Sequence, residues 1–251
     1  MKQLLIEIIN DNKLSIKIVD TKNVKRTTSS LANDVIRYYG TKPKGVSVQT
    51  LKPTKTNLGF DVSSPINGNT LIIIPCSDDK ISGGNEDLNT DYFDASSQNP
   101  ISNFRTTRNE ILNQFGPTSP ESKYLLEAYQ RYSGHIYKAI NWQSIHQKVD
   151  IGCLKVVIVS ALFGLLEYKR KIPEYDLEIS KTRVLWRPSI QDAIDHYIAD
   201  NAIENVYSFL AVEYAQLMPQ IDSIPRRPGC NQYYVGDWVN KVVRNVNCKP
   251  D

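Results

Sequence analysis

Apolar and polar residues alternate with a period of two in LLIEII (4–9) and LSIKIV (14–19), the spacing of half-buried strands. The intervening NDNK has the turn chemistry that joins two such strands as a hairpin. A helical segment is predicted from about Ser29 to Tyr39, with Ser29 or Ser30 as its N-cap. GVSVQTL (45–51) alternates again, and SSPINGNT (63–70) reads as a linker. Residues 1–66 are therefore expected to form a small β-β-α-β module.

Beyond the linker the pattern changes. LIIIP (71–75) and KVVIVSALFGLL (155–166) are apolar without alternation, the second turning at Ser160, Ala161 and Gly164. NVYSFLAVEYAQLM (205–218) reads as a strand running into a helix. Helices are predicted at 102–115, at 121–131 with Ser119 as cap, and at 231–246, where Trp238 anchors an amphipathic face. Strands without alternation, separated by helices, point to a mostly parallel sheet covered on both faces. Residues 67–251 are thus expected to be an α/β domain of catalytic type. Residues 81–100 are polar and aperiodic, the signature of a functional lid or a disordered segment. Asn85, Glu86, Asp87 and Asn89 there offer hydrogen-bonding groups for a hydroxylated adduct.

Composition adds little until it is divided. The 251 residues are 41% hydrophobic and 23% charged, ordinary for a globular protein. No apolar run approaches the roughly 20 residues of a membrane span, so no membrane partner is expected. The N-terminus MKQLLIEIINDNK carries Glu7 and alternates, unlike a signal peptide, and a cytoplasmic protein is expected. The net charge is +3, but residues 1–70 hold 11 Lys/Arg against 5 Asp/Glu. A basic N-terminal third points to a polyanion, or to a solvated lysine face. Cys76, Cys153, Cys230 and Cys248 form no CxxC pair, which argues against zinc and against a disulfide framework. His135, His146 and His196 lack metal spacing; neither a metal nor a cofactor is called for.

The candidate chemistry gathers where LIIIP runs into Cys76, Ser77, Asp78, Asp79 and Lys80. Ligands of α/β sheets bind beyond the carboxyl ends of strands. Asp78, Asp79 and the later Asp176 are candidate carboxylates, and Lys80 a phosphate or leaving-group partner. Ser77 and Ser160 sit at strand ends; Tyr132, Phe163 and Tyr175 are candidate stacking rings, and Ser133 and Gly164 lie in the same motifs. Each has a plainer reading: Ser77 caps the next segment, Cys76 is a packed free cysteine, Phe163 is core, and Gly164 supplies a turn.

PCSDDK (75–80), YSGHIYKAI (132–140), SALFGLLEYKRKIPEYDLEI (160–179) and AVEYAQL (211–217), in that order, resemble the YaaA family of peroxide-stress proteins over roughly residues 70–240. The Pro-Cys-Ser piece is also similar to the strand end in the lysine-transfer domain of archaeosine synthase, related to the uracil-DNA glycosylase fold. One departure is Glu174, inserted between Pro173 and Tyr175. The resemblance implies a YaaA-like or uracil-DNA-glycosylase-like α/β fold and work on DNA. One implied activity is a glycosylase that flips a modified base, such as a hypermodified phage base, out of duplex DNA and excises it. In that reading Asp78, Asp176 and Lys80 are catalytic, and Cys76, Ser77, Asp79, Tyr132, Ser133, Ser160, Phe163, Gly164 and Tyr175 bind substrate. The other implied functions are a non-catalytic DNA-binding stress protein and a nucleobase-modifying transferase.

Overall fold

Ile66–Asn67 (β1) leads through a glycine turn into Thr70–Pro75 (β2), a strand buried at every position. A strand without an exposed face needs neighbours on both sides and layers above and below. The computed structural model, which describes residues 60, 62–94, 101–226, 230 and 234–248, supplies them. Leu154–Ser160 (β4) and Asn205–Ser208 (β7) both pair with β2 in parallel, placing Thr70 opposite Leu154 on one side and Asn205 on the other. Gly164–Glu167 (β5) completes the sheet in the order β5-β4-β2-β7. The described residues belong to a unit beginning at Phe60; the predicted hairpin, helix and third strand of the N-terminal module lie outside them.

The apolar strand expected over 155–166, turning at Ser160, Ala161 and Gly164, divides at that turn into two strands. β5 runs antiparallel to β4, with Ser160 opposite Gly164, so the sheet is mixed. Gly164 makes the reversal at φ 71°, and a Cβ there would lie 2.7 Å from both Phe104 and Trp186. The turn is held from outside: Thr182 Oγ1 and Trp186 Nε1 donate to the Ala161 carbonyl at 2.8 and 2.9 Å.

Ser102–Phe115 (α1) forms as the sequence predicts. The single helix expected at 121–131 does not. That stretch divides into a short turn at Pro120–Lys123, Leu125–Glu127 (β3) and one helical turn, Ala128–Arg131 (α2). β3 is claimed by Lys171–Pro173 (β6), with which it pairs antiparallel. Ser119 makes no side-chain cap. His135–Ala139 (α3), Trp142–Asp150 (α4), Ile179–Trp186 (α5), Ile190–Asp200 (α6), Val212–Ala215 (α7) and Val235–Asn245 (α8) follow. α8 packs on α3 and α4, while α1 packs on α5 and α6, giving two helical groups around the sheet. Trp238 on α8 is buried against Phe60, ring centres 6.0 Å apart.

Two further features tie the chain together. Val246–Asn247 (β8) pairs in parallel with β1, and Cys248 just beyond it is bonded to Cys153, Cα atoms 5.4 Å apart. The scarcity of cysteine in a chain this long argued against a disulfide framework; this single bond forms because the tail returns to the start of β4. The segment 81–94 is anchored, not loose. Arg131, fully buried, donates to the carbonyls of Ile81, Gly83, Tyr124 and Ile172. Asn89 spends its side chain on Lys169 O and Lys171 N, at 2.8 and 2.6 Å, leaving little of it for an adduct.

Candidate functional site

The strand order decides where a ligand site belongs. The chain leaves β2 for β4 on one side, then crosses from β4 to β7 on the other side of β2. Consecutive crossovers departing in opposite directions open a crevice between the carboxyl ends of β2 and β7. Cys76 follows β2 directly, and Tyr214 lies in α7, which begins after Phe209, Leu210 and Ala211 link it to the end of β7. Their polar atoms meet in that crevice: Cys76 Sγ and Tyr214 OH are 3.2 Å apart.

The wall on the β4 side is a hydroxyl chain. Ser160 Oγ accepts the backbone N–H groups of Leu162 and Phe163 at 3.2 and 3.1 Å. With its lone pairs so used, it has one proton to give, to Tyr175 OH at 2.8 Å. Tyr175 in turn donates to Tyr132 OH at 2.7 Å. Tyr137 closes the floor by donating to the Pro75 carbonyl, 2.8 Å away.

Lys80 provides the cation. Its ammonium stands 4.4 Å above the Tyr175 ring and 3.2 Å from the Asp78 carbonyl. The segment around it is clamped: Lys80 bridges Tyr132 antiparallel, and Ser133 N donates to Asp79 O at 2.9 Å. Gly134 lets this segment approach, since a Cβ there would fall 2.2 Å from Ser77 Oγ.

The electrostatics are those of a neutral pocket with a charged rim. Burial pushes the Cys76 thiol up from its usual range, against smaller lowering contributions from Tyr214 and Lys80. Burial likewise pushes up the phenols of Tyr132, Tyr137, Tyr175 and Tyr214. A protonated thiol is a poor nucleophile, so at neutral pH the interior offers hydrogen-bond donors and not a reactive anion. No group of three or more His, Cys, Asp and Glu able to hold a metal occurs among the described residues.

Most of the sequence candidates do converge: Cys76, Lys80, Tyr132, Ser160 and Tyr175 share the crevice, with Ser77 and Ser133 on its rim. The candidate carboxylates stand outside. Asp78, Asp79 and Asp176 are exposed, and none of their side chains makes a hydrogen bond or ion pair among the described residues. Tyr132, Tyr175 and Phe163 are walls, at 1%, 6% and 7% exposure; Phe163 meets Tyr175 edge-on at 5.7 Å. The partly exposed aromatic is Tyr214, absent from the candidates although AVEYAQL was noted. Its signal was position: one helical turn beyond a strand end.

The sequence model of the peroxide stress protein YaaA family matches residues 80–231, more than half of the chain, and takes in Lys80, Tyr132, Ser160, Tyr175 and Tyr214. The chain belongs to that family. No curated protein matches it. In this YaaA-family member, Cys76 to Asp79 fall just ahead of the matched span, so the thiol end of the crevice rests on the geometry alone.

Proposed function

We propose that this YaaA-family chain is a stress-response protein that binds DNA and receives a flipped-out nucleotide in the crevice between β2 and β7. The observation that carries the reading is the meeting of Tyr214, a partly exposed phenol, with Cys76 at the topological switch point, beside the Lys80 ammonium. An aromatic surface next to a cation suits a base and its phosphate: stacking contributes about 1–3 kcal/mol per base, enough to offset the few kcal/mol of unstacking. The basic balance of residues 1–70 supports further phosphate contacts.

Base excision is the second reading, favoured by the three carboxylates exposed on segments adjoining the crevice. Asp78 lies near enough to the crevice to act electrostatically on Tyr214. In that version Asp78 or Asp176 stabilises the oxocarbenium-like sugar and Lys80 the departing base, as the uracil-DNA-glycosylase resemblance implies.

One experiment addresses both. Binding to duplexes carrying a fluorescent base analogue is measured against salt, and alkali cleavage of the same samples scores abasic sites. Salt-sensitive binding, with a slope shallower by about one in Lys80→Ala and loss of the base signal in Tyr214→Ala, supports the crevice reading. Abasic sites that vanish in Asp78→Asn or Asp176→Asn establish excision. Binding unaffected by Lys80→Ala and Tyr214→Ala overturns the assignment of the crevice.

A further inference from the structure

The crevice connects to the protein surface through an unbroken series of aromatic rings. Tyr132, hydrogen-bonded to Tyr175, lies 5.3 Å centre to centre from Tyr137. Tyr137 stacks on Trp142 at 5.8 Å, and its carbonyl accepts the indole N–H at 3.0 Å. Trp142 stacks on Tyr168 at 6.1 Å with the planes 6° apart. Tyr129 touches both Trp142 and Tyr168, at 5.0 and 5.6 Å. Every spacing is within the range of direct ring contact. The outer members are partly exposed: Tyr129, Trp142 and His146.

Packing alone would leave the last phenol without a special partner, yet Tyr168 OH is 3.0 Å from His146 Nδ1, with the two rings stacked at 5.6 Å. Burial first, then nearby carboxylates, push the Tyr168 phenol up, so it holds its proton at rest and must shed it when oxidised. An imidazole protonated on Nε2 presents Nδ1 as the acceptor for that proton.

We propose that Tyr132, Tyr137, Trp142 and Tyr168 form a hole-transfer chain that carries one-electron oxidising equivalents from the crevice around Cys76 to the surface, with His146 as proton acceptor. A peroxide-derived radical such as hydroxyl takes a hydrogen atom from Tyr132, giving water and a phenoxyl. An electron from Tyr168 passes through Trp142 and Tyr137 and reduces that phenoxyl, which takes up a proton from solvent at the crevice mouth. The Tyr168 proton moves to His146 Nδ1. A soluble thiol or ascorbate then reduces the Tyr168 phenoxyl, and His146 returns the proton. The chain thereby spares Cys76 and the hydroxyl wall from lasting oxidation. It operates whether or not the crevice takes a nucleotide.

Pulse radiolysis of the full chain with azide radical, which oxidises exposed indoles, tests this. Trp142 is the accessible target among the tryptophans, since Trp186 and Trp238 are 0% and 5% exposed. The expected result is an indole radical that converts to a phenoxyl at a rate independent of protein concentration, more than tenfold slower in Tyr168→Phe and slowed in His146→Phe. In the Tyr129→Phe, Tyr168→Phe double variant the hole runs inward, and spin-trap adducts appear by mass spectrometry on Tyr132, Tyr175 or Cys76. Adding Tyr137→Phe removes them. These substitutions keep the rings, and melting curves identify any variant that has lost its fold. A conversion that scales with protein concentration, or is unchanged in Tyr168→Phe, overturns the proposal, as do inward adducts that survive Tyr137→Phe.

Discussion

Gly134 and Ser77 share one small volume, and only Ser77 is conspicuous in the sequence. A methyl at 134 would stand 2.2 Å from Ser77 Oγ and 3.2 Å from its Cβ. Overpacking of this kind costs about 1–3 kcal/mol, so Gly134→Ala is expected to lower stability by that amount in urea denaturation. Ser77→Ala removes the nearer atom and should restore most of the loss in the double variant; additive losses would show that the two sites do not touch. Asp91 makes a second residue-scale case. Burial, beside the neighbouring carboxylates of Asp94 and Glu167, pushes its carboxyl up to about 7, with Arg108 opposing. A raised folded-state value means stability that is full below the unfolded value near 4 and is lost as pH rises to about 7. The stability difference between Asp91→Asn and the parent should therefore shift in favour of the variant across pH 4 to 7.5, read from melts at fixed ionic strength. A difference constant with pH would rule out Asp91 as the titrating group.

At the scale of elements, Arg131 ties together separate stretches of backbone. Its guanidinium serves four carbonyls from three separate segments, and no carboxylate among the described residues pairs with it directly. Arg131→Met removes the shared donor from all four carbonyls, and the loss of hydrogen bonds from a charged group costs about 1.5–3 kcal/mol. The expected signature is faster amide exchange at Asn85 and Leu125, whose N–H groups bond each other's carbonyls across the loop, while β2 and β4 keep their protection. What the sequence revealed of these elements follows the strength of their local signals. β2, α1 and the β7-to-α7 passage were legible because long apolar runs and clear breaks marked them. β5 was not, since SALFGLL is apolar throughout and only Gly164 marks the reversal. β3 was misread because residues 121–131 favour a helix locally, while pairing with β6, where Leu126 faces Ile172 46 positions on, overrides that preference. The crevice was half legible for the same reason: Cys76 to Lys80 and Ser160 announce themselves at strand ends, whereas Tyr214 matters only through the strand order.

For the whole molecule, the tail is the long-range constraint. The Cys153–Cys248 bond closes a sequence separation of 95 residues, and β8 with Lys148 Nζ donating to the Val246 carbonyl at 2.5 Å reinforces it. Loops of about 100 residues contribute up to about 4.7 kcal/mol in the chain-entropy estimate. Reduction, or Cys248→Ser, is expected to lower the unfolding free energy by about 2–4 kcal/mol, with alkylation and intact mass before and after reduction confirming the linkage. Equal stability of oxidised and reduced protein would place the tail outside the cooperative unit.

The thiol-to-phenol contact at the switch point spans 138 residues of sequence, and this has a consequence for biogenesis. A chain emerging in order completes β2 and β4 well before α7 exists, so Cys76 begins life uncovered and is shielded only when the last parallel strand docks. The cysteine is in effect a timestamp for completion of the sheet. Pulses of alkylating reagent during refolding should mark Cys76 early and spare it late, and chains truncated before residue 205 should never lose that vulnerability.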